Sequence, residues 1–275
     1  MKAKYIGFPI KDGCHINGAD LGIKIINEKY KLDTIIEIVP NNIDVNCVVE
    51  NDSKLASCVS NYQKEGYLPV TIGGDHSLAI GSIAGSSENN ENLGVIWLDT
   101  HPDINTNLTT TTFHVHGYPL AASMGFGLNE LVNLHQHKVK VNYKNVVLFG
   151  INDIDDPEQE LINKYNIKAF TLDYINEVGV QKCIEEAINY LNSKTNNIHL
   201  SFDIDSINKK ECPGVNLPNR WENGLKKDDA IKAFSEFYNK LNVVSLDIVE
   251  YNPLHDKDNK SLNIVLEAIN IINKK

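Results

Sequence analysis

The chain has 275 residues and a formal charge of −10, from 26 Lys and Arg against 36 Asp and Glu. Hydrophobic residues make up 42% and charged residues 23%, which fits a folded chain with a sizeable core and excludes collagen, a disordered tail and a membrane protein. The acidic balance argues against a nucleic-acid partner, which needs clustered basic surface, but leaves open whether carboxylates converge on a cation.

In chain order, short apolar runs rich in β-branched residues predict strands at Lys4–Phe8, Thr34–Val39, Tyr67–Ile72, Leu93–Leu98, Asn145–Phe149, Lys168–Thr171, Ile198–Phe202 and Asn242–Ile248. They lack polar alternation, as strands covered on both faces do. Helical spacing occurs at Asn51–Glu65, His76–Ser86, Pro157–Tyr165, Val178–Ser193, Lys227–Lys240 and Leu262–Asn273. In the segment from Val178, the residues Val180, Ile184, Ala187, Ile188 and Leu191 share one face. Pro157 and Glu158, after Asp155 and Asp156, mark a helix start. The alternation predicts an α/β fold with a central, mostly parallel sheet. No composition break divides the series, so one domain over residues 1–275 is expected.

The opening segment, MKAKYIGFPIKDG, lacks the apolar stretch and cleavage site of a secretory signal, and no run approaches the roughly 20 apolar residues of a membrane span. The cysteines Cys14, Cys47, Cys58, Cys183 and Cys212 are widely spaced, with no C-x-x-C pair. The expectation is a cytoplasmic protein with isolated thiols rather than disulfides or a thiolate zinc site.

Ligands of open α/β sheets bind beyond the carboxyl ends of the strands. After Tyr67–Ile72 comes Gly73-Gly74-Asp75-His76-Ser77, and after Leu93–Leu98 comes Asp99-Thr100-His101-Pro102-Asp103-Ile104-Asn105. Ile198–Phe202 leads to Asp203-Ile204-Asp205, Asn242–Leu246 to Asp247-Ile248-Val249-Glu250, and Asn145–Phe149 to Asn152-Asp153-Ile154-Asp155. Asp99, Asp103, Asp203 and Asp205 would gather four like charges. At about 4 Å and an effective dielectric of ~20, each pair repels by about 4 kcal/mol. Such a cluster has to protonate, scatter or recruit cations. His76 and His101 add nitrogen donors, and a mixed imidazole and carboxylate set suits Mn, Zn, Fe, Co or Ni. The pairs Asp99/His101 and Asp203/Asp205 are spaced i, i+2, which puts both side chains on one side of an extended strand end. Six donors exceed the needs of one ion, so two metals are the economical reading. Each motif alone also fits a plain turn, since Asp and Asn are common turn residues and Gly73-Gly74 permits a tight one. Their succession at strand ends is what points to metal.

The segments GGDHSLAIGSIAG (73–85), WLDTHPDINT (97–106), HGYPLA (116–121), SFDID (201–205) and SLDIVEYNP (245–253) resemble the ureohydrolases, most closely the arginases. The resemblance implies a three-layer α-β-α fold with the metal site at the carboxyl ends of the strands. It also implies hydrolysis of L-arginine to L-ornithine and urea by a hydroxide bridging two Mn2+ ions per subunit, with other divalent ions as substitutes. By motif position, His76, Asp99, Asp103 and Asp203 would hold one ion, and Asp99, His101, Asp203 and Asp205 the other. Glu250 would grip the guanidinium, which suits a carboxylate able to accept two parallel N–H bonds. His116 would shuttle a proton to the leaving amine, with Asp205 as a second relay candidate. Asn105 and Thr112 would meet the substrate α-carboxylate, and Asp155 the α-amino group. A homo-oligomer, trimer or hexamer, is implied, with a small guanidine as substrate and neither nucleic acid nor membrane as partner.

Several positions depart from that family's pattern. Thr100 stands where alanine is usual, and Thr112-Phe113-His114-Val115-His116 where S-G-N-x-H is usual. Ser206-Ile207-Asn208-Lys209 replaces G-L-D-P, Asn216-Leu217-Pro218 replaces G-T-P, and Asn152 replaces an arginine. None is a metal ligand or Glu250, so the departures bear on recognition of the amino-acid end. Two alternatives follow: a ureohydrolase for another guanidine, such as agmatine or a guanidino acid, or a non-catalytic homologue acting as a scaffold.

Overall fold

In the computed structural model, which describes residues 1–14, 16–39, 45–216 and 223–275, all eight predicted strands form. They are β1 (Ala3–Phe8), β2 (Thr34–Ile35), β3 (Leu68–Gly73), β4 (Gly94–Leu98), β5 (Val146–Ile151), β6 (Lys168–Thr171), β7 (Ile198–Asp203) and β8 (Val243–Val249). Residues 217–222 of the altered G-T-P turn lie outside the described residues, as does His15. The strands make one sheet in the order β2-β1-β3-β8-β7-β4-β5-β6, and every pairing is parallel. The helices are α1 (Ala19–Lys29), α2 (Val45–Lys64), α3 (Ala79–Asn89), α4 (Pro119–Ser123), α5 (Asn129–Val132), α6 (Asp156–Tyr165), α7 (Leu172–Val178), α8 (Val180–Asn192), α9 (Lys227–Lys240) and α10 (Lys260–Asn273).

Both sheet faces are covered, which is why the strands read as unbroken apolar runs. On β4, Val95 and Trp97 pack with Ala79 and Ile83 of α3, while Ile96 and Leu98 face the cluster containing Ile184 of α8 and Phe234 of α9. The register aligns Thr71, Asp247, Ser201 and Trp97 across β3, β8, β7 and β4. These four central strands end at the same edge of the sheet. Among the described residues, no helix is long and apolar enough to cross a membrane.

Three local differences from the sequence reading have physical causes. The helix predicted over Val178–Ser193 is α8, and the unpredicted α7 ends just before it at Gly179, whose φ of +91° favours glycine. Thr171 caps α7 by accepting the Tyr174 N–H at 3.2 Å. The helix predicted from His76 opens as a tight 3-10 turn, His76–Leu78, before α3 begins. Helix α1 was not predicted, because Gly22 and the β-branched Ile23, Ile25 and Ile26 weaken helical preference. Ala19, Gly22, Ile23 and Ile26 nevertheless bury one stripe, and packing prevails over propensity.

Candidate metal centre

His76 is placed by the turn after β3. A Cβ on Gly74 would collide with the Ile10 carbonyl, so the loop after β1 can approach only a glycine. The Asp75 side chain accepts the N–H groups of Ser77 and Gly13, each at 2.9 Å, and pins that loop to the turn. The His76 ring stacks on Trp97 with centroids 4.0 Å apart and planes within 4°. Its Nε2 lies 2.9 Å from Ser201 Oγ on β7, which turns Nδ1 toward the carboxylates.

Those carboxylates arrive from two other strand ends. His76 Nδ1 is 3.0 Å from Asp99 Oδ2, 3.2 Å from Asp103 Oδ2 and 3.2 Å from Asp203 Oδ2. His101 Nδ1 is 3.4 Å from Asp99 Oδ1 and 3.2 Å from Asp205 Oδ2. Each strand-end pair is braced by its own backbone: Asp99 Oδ1 accepts the His101 N–H, and Asp203 Oδ1 the Asp205 N–H, both at 2.7 Å. Asp103 adopts a φ of +50°, a conformation uncommon outside glycine, and so turns its carboxylate back toward His76.

This donor set fits divalent ions. His76 Nδ1, Asp99 Oδ2 and Asp205 Oδ1 are buried without a hydrogen-bond partner. One ring nitrogen cannot bond three carboxylates at once, yet adjacent donors around an octahedral ion with bonds of about 2.1 Å stand about 3.0 Å apart. Two groups of donors converge, His76 with Asp99 and Asp103, and Asp99 with His101 and Asp205, so Asp99 belongs to both. Asp203 joins the first through its contact with His76 Nδ1.

The electrostatics agree. Burial, then the charges of Asp205 and Asp99, raises Asp203 well above the usual carboxylate range. Burial likewise pushes Asp205 up to about 7, with the Asp99 charge adding and His101 opposing. Burial disfavours a charged His76, but Asp103, Asp203 and Asp99 outweigh it and raise its pKa. The cluster holds more negative charge than it can keep ionised by itself.

Glu250 stands beside it, just past β8, with a φ of +69°. This backbone position costs about 1–3 kcal/mol for a non-glycine residue and is characteristic of functional sites. Its Oε1 accepts the His76 N–H at 2.8 Å and contacts His116 Nδ1 at 3.1 Å, while Asn216 Nδ2 donates to Oε2. Burial disfavours a charged His116, but Glu250 outweighs it and raises its pKa.

A cavity of about 250 Å³ opens over these groups, and Asn105, Thr112 and Asp155 line it as well. Every site residue named from the sequence therefore sits at this pocket, with Asp99 buried beneath it. Asn105 Nδ2 donates to Asp155 Oδ2 at 3.0 Å, and the Thr109 hydroxyl donates to Asn105 Oδ1 at 2.9 Å. Thr112 sits on the exposed loop between β4 and α4, where its hydroxyl accepts the His114 N–H at 3.3 Å. Phe113 beside it has a φ of +60°, so the loop keeps the turn of a glycine without having one.

Sequence reasoning missed Ser201, Glu158 and Asn216 as contributors. Ser201 carried a signal, since it lies two residues before Asp203 and shares its side of the strand. Glu158 accepts the N–H groups of Ile104 and Asp155, each at 3.1 Å, and ties the Asp103 loop to α6. The D-x-x-E spacing at a helix start was its signal. Asn216 had none.

Comparison with known proteins gives one consistent picture. The Arginase family model matches residues 10–271. The chain is 36% identical to an arginase of Bacillus subtilis (strain 168) over 251 residues, 91% of this chain and 82% of the relative. It is 36% identical to an arginase of Brevibacillus brevis over 225 residues, 82% of this chain and 75% of that one. Among solved structures, arginase from Bacillus caldovelox superposes with a TM-score of 0.93 at 30% identity, covering 100% of this chain and 98% of that one.

Proposed function

The chain belongs to the arginase family, and from that premise we propose that it hydrolyses the guanidinium of L-arginine to L-ornithine and urea with two manganese ions. The observation that carries this reading is the pair of overlapping donor groups sharing Asp99, with Glu250 one hydrogen bond from His76. His76, Asp99, Asp103 and Asp203 would hold one ion, and Asp99, His101, Asp203 and Asp205 the other. When bound, such a pair supplies an ionised water near neutral pH and polarises the carbon it attacks.

The protein's own groups do the rest. Glu250 accepts guanidinium N–H bonds and sets the carbon over the cluster, a positioning role that lowers the entropic cost of attack. Before substrate binds, His116 rests on Glu250 through Nδ1; released when the guanidinium takes that carboxylate, its ring holds the proton needed by the leaving amine. Asp205, at the rim of the cluster, is the second candidate for moving that proton. The Asn105–Asp155 pair and Thr112 receive the amino-acid end, Asp155 taking the ammonium. In this reading residues 1–275 form one domain that acts in the cytoplasm as a trimer or hexamer.

The test is release of urea and ornithine by the manganese-loaded protein, with agmatine and a guanidino acid in parallel. Urea from L-arginine supports the proposal. Urea from agmatine alone would transfer the chemistry to another guanidine, and no urea from any of them would leave a scaffold.

A further inference from the structure

Glu250 is held from behind by a chain of amides. The antiparallel bridge between Val215 and Tyr251 lays Asn216 alongside the residues that follow β8. Asn252 there is fully buried, and its amide has one orientation. Its Nδ2 donates to the Asn17 carbonyl at 3.0 Å and to Asn216 Oδ1 at 2.8 Å, while its Oδ1 accepts the Leu254 N–H at 3.0 Å. That decides the next amide. Asn216 spends Oδ1 on Asn252, so Nδ2 is the atom facing Glu250 Oε2, at 2.5 Å. Flipping either amide would set donor against donor or oxygen against oxygen.

An ionised carboxylate has about four acceptor sites, two on each oxygen. On Glu250, the His76 N–H and His116 Nδ1 occupy both sites of Oε1, and Asn216 occupies one site of Oε2. One site on Oε2 remains. A guanidinium fork needs one site on each oxygen. We propose that Asn216 is a positioning residue: it locks the carboxylate of Glu250 so that Oε2 takes the first guanidinium N–H, and the second reaches Oε1 as His116 lets go. The inference rests on the guanidine-hydrolase reading and adds to it a residue that stands where the family pattern has glycine.

Asn216→Ala and Asn216→Leu test it. The second variant keeps the size of the side chain but has no N–H to donate. A hydrogen bond to a charged group is worth about 10- to 100-fold in an equilibrium. Both variants are expected to raise KM for L-arginine about 10- to 100-fold, with kcat within about three-fold and two manganese ions still bound. Calorimetry with guanidinium ion should show the same loss of affinity. In a Glu250→Gln background, Asn216→Ala should change that affinity less than about two-fold, because the residue acts through Glu250. An unchanged KM, an equal loss in the Glu250→Gln background, or loss of manganese together with affinity would each overturn the inference. Absence of urea from the wild-type enzyme would instead overturn the reaction reading, and the calorimetric arm would then decide the role of Asn216 alone.

Discussion

Ser201→Ala is the most informative perturbation of the metal centre. It touches no metal donor, yet removes the hydrogen-bond acceptor of His76 Nε2, 2.9 Å away in a region where both residues are buried. For Nδ1 to hold an ion among Asp99, Asp103 and Asp203, the ring must keep its one proton on Nε2, where Ser201 can accept it. Without it, a buried N–H loses its partner at a cost of about 1–3 kcal/mol. The ring can escape that cost by moving its proton to Nδ1, where three carboxylates welcome it and where it blocks ligation. Stacking on Trp97 holds the ring plane but does not select the tautomer. The ion beside His76 should therefore bind about 10- to 100-fold more weakly. The ion beside His101 should change less than about three-fold, because Ser201 does not contact that residue's ligands. Chelator-competition titration with manganese, resolving the two binding steps, measures both. Equal weakening of the two ions, or no weakening, would refute the tautomer argument.

Asp99→Ala removes the carboxylate common to both donor groups, so both ions should be lost, and metal analysis finding two manganese ions per chain would count against the shared role. Glu158 predicts a pH effect on stability. Burial raises its pKa from 4.5 to about 8, with the Asp103 and Asp155 charges adding to the rise. A raised carboxylate binds its proton more tightly when folded, so its contribution is greatest below about pH 4.5 and is lost as pH climbs through about 8. Glu158→Gln should therefore gain on the wild type between pH 5 and 8, by up to about 5 kcal/mol, in urea denaturation of metal-stripped protein; a gap independent of pH would remove Glu158 as the cause. Gly74→Ala should cost about 1–3 kcal/mol and weaken metal binding, because the new methyl meets the Ile10 carbonyl and shifts the His76 turn. Unchanged thermal stability with full metal content would show that the turn can yield.

Local sequence determined much of this protein. Eight apolar, β-branched runs specified eight strands, and β3, β4, β5, β7 and β8 are buried along their whole length, because a strand covered on both faces leaves no polar alternation to find. The residues that converge on the candidate metal centre were legible for a related reason. Asp99, His101, Asp103, Asp203 and Asp205 follow their strands directly, and parallel strands ending at one edge must bring their sequels together. Tertiary structure decided what depends on contacts between distant segments. Helix α1 formed against its own propensity because its apolar stripe had a sheet to cover. The partner of His76 Nε2 is Ser201, 125 residues away, and the direction of Glu250 is set by an amide chain running through Asn17, Asn252 and Asn216. Hydrogen-bond direction is a property of pairs of atoms, so it becomes readable only once the fold has chosen the partners.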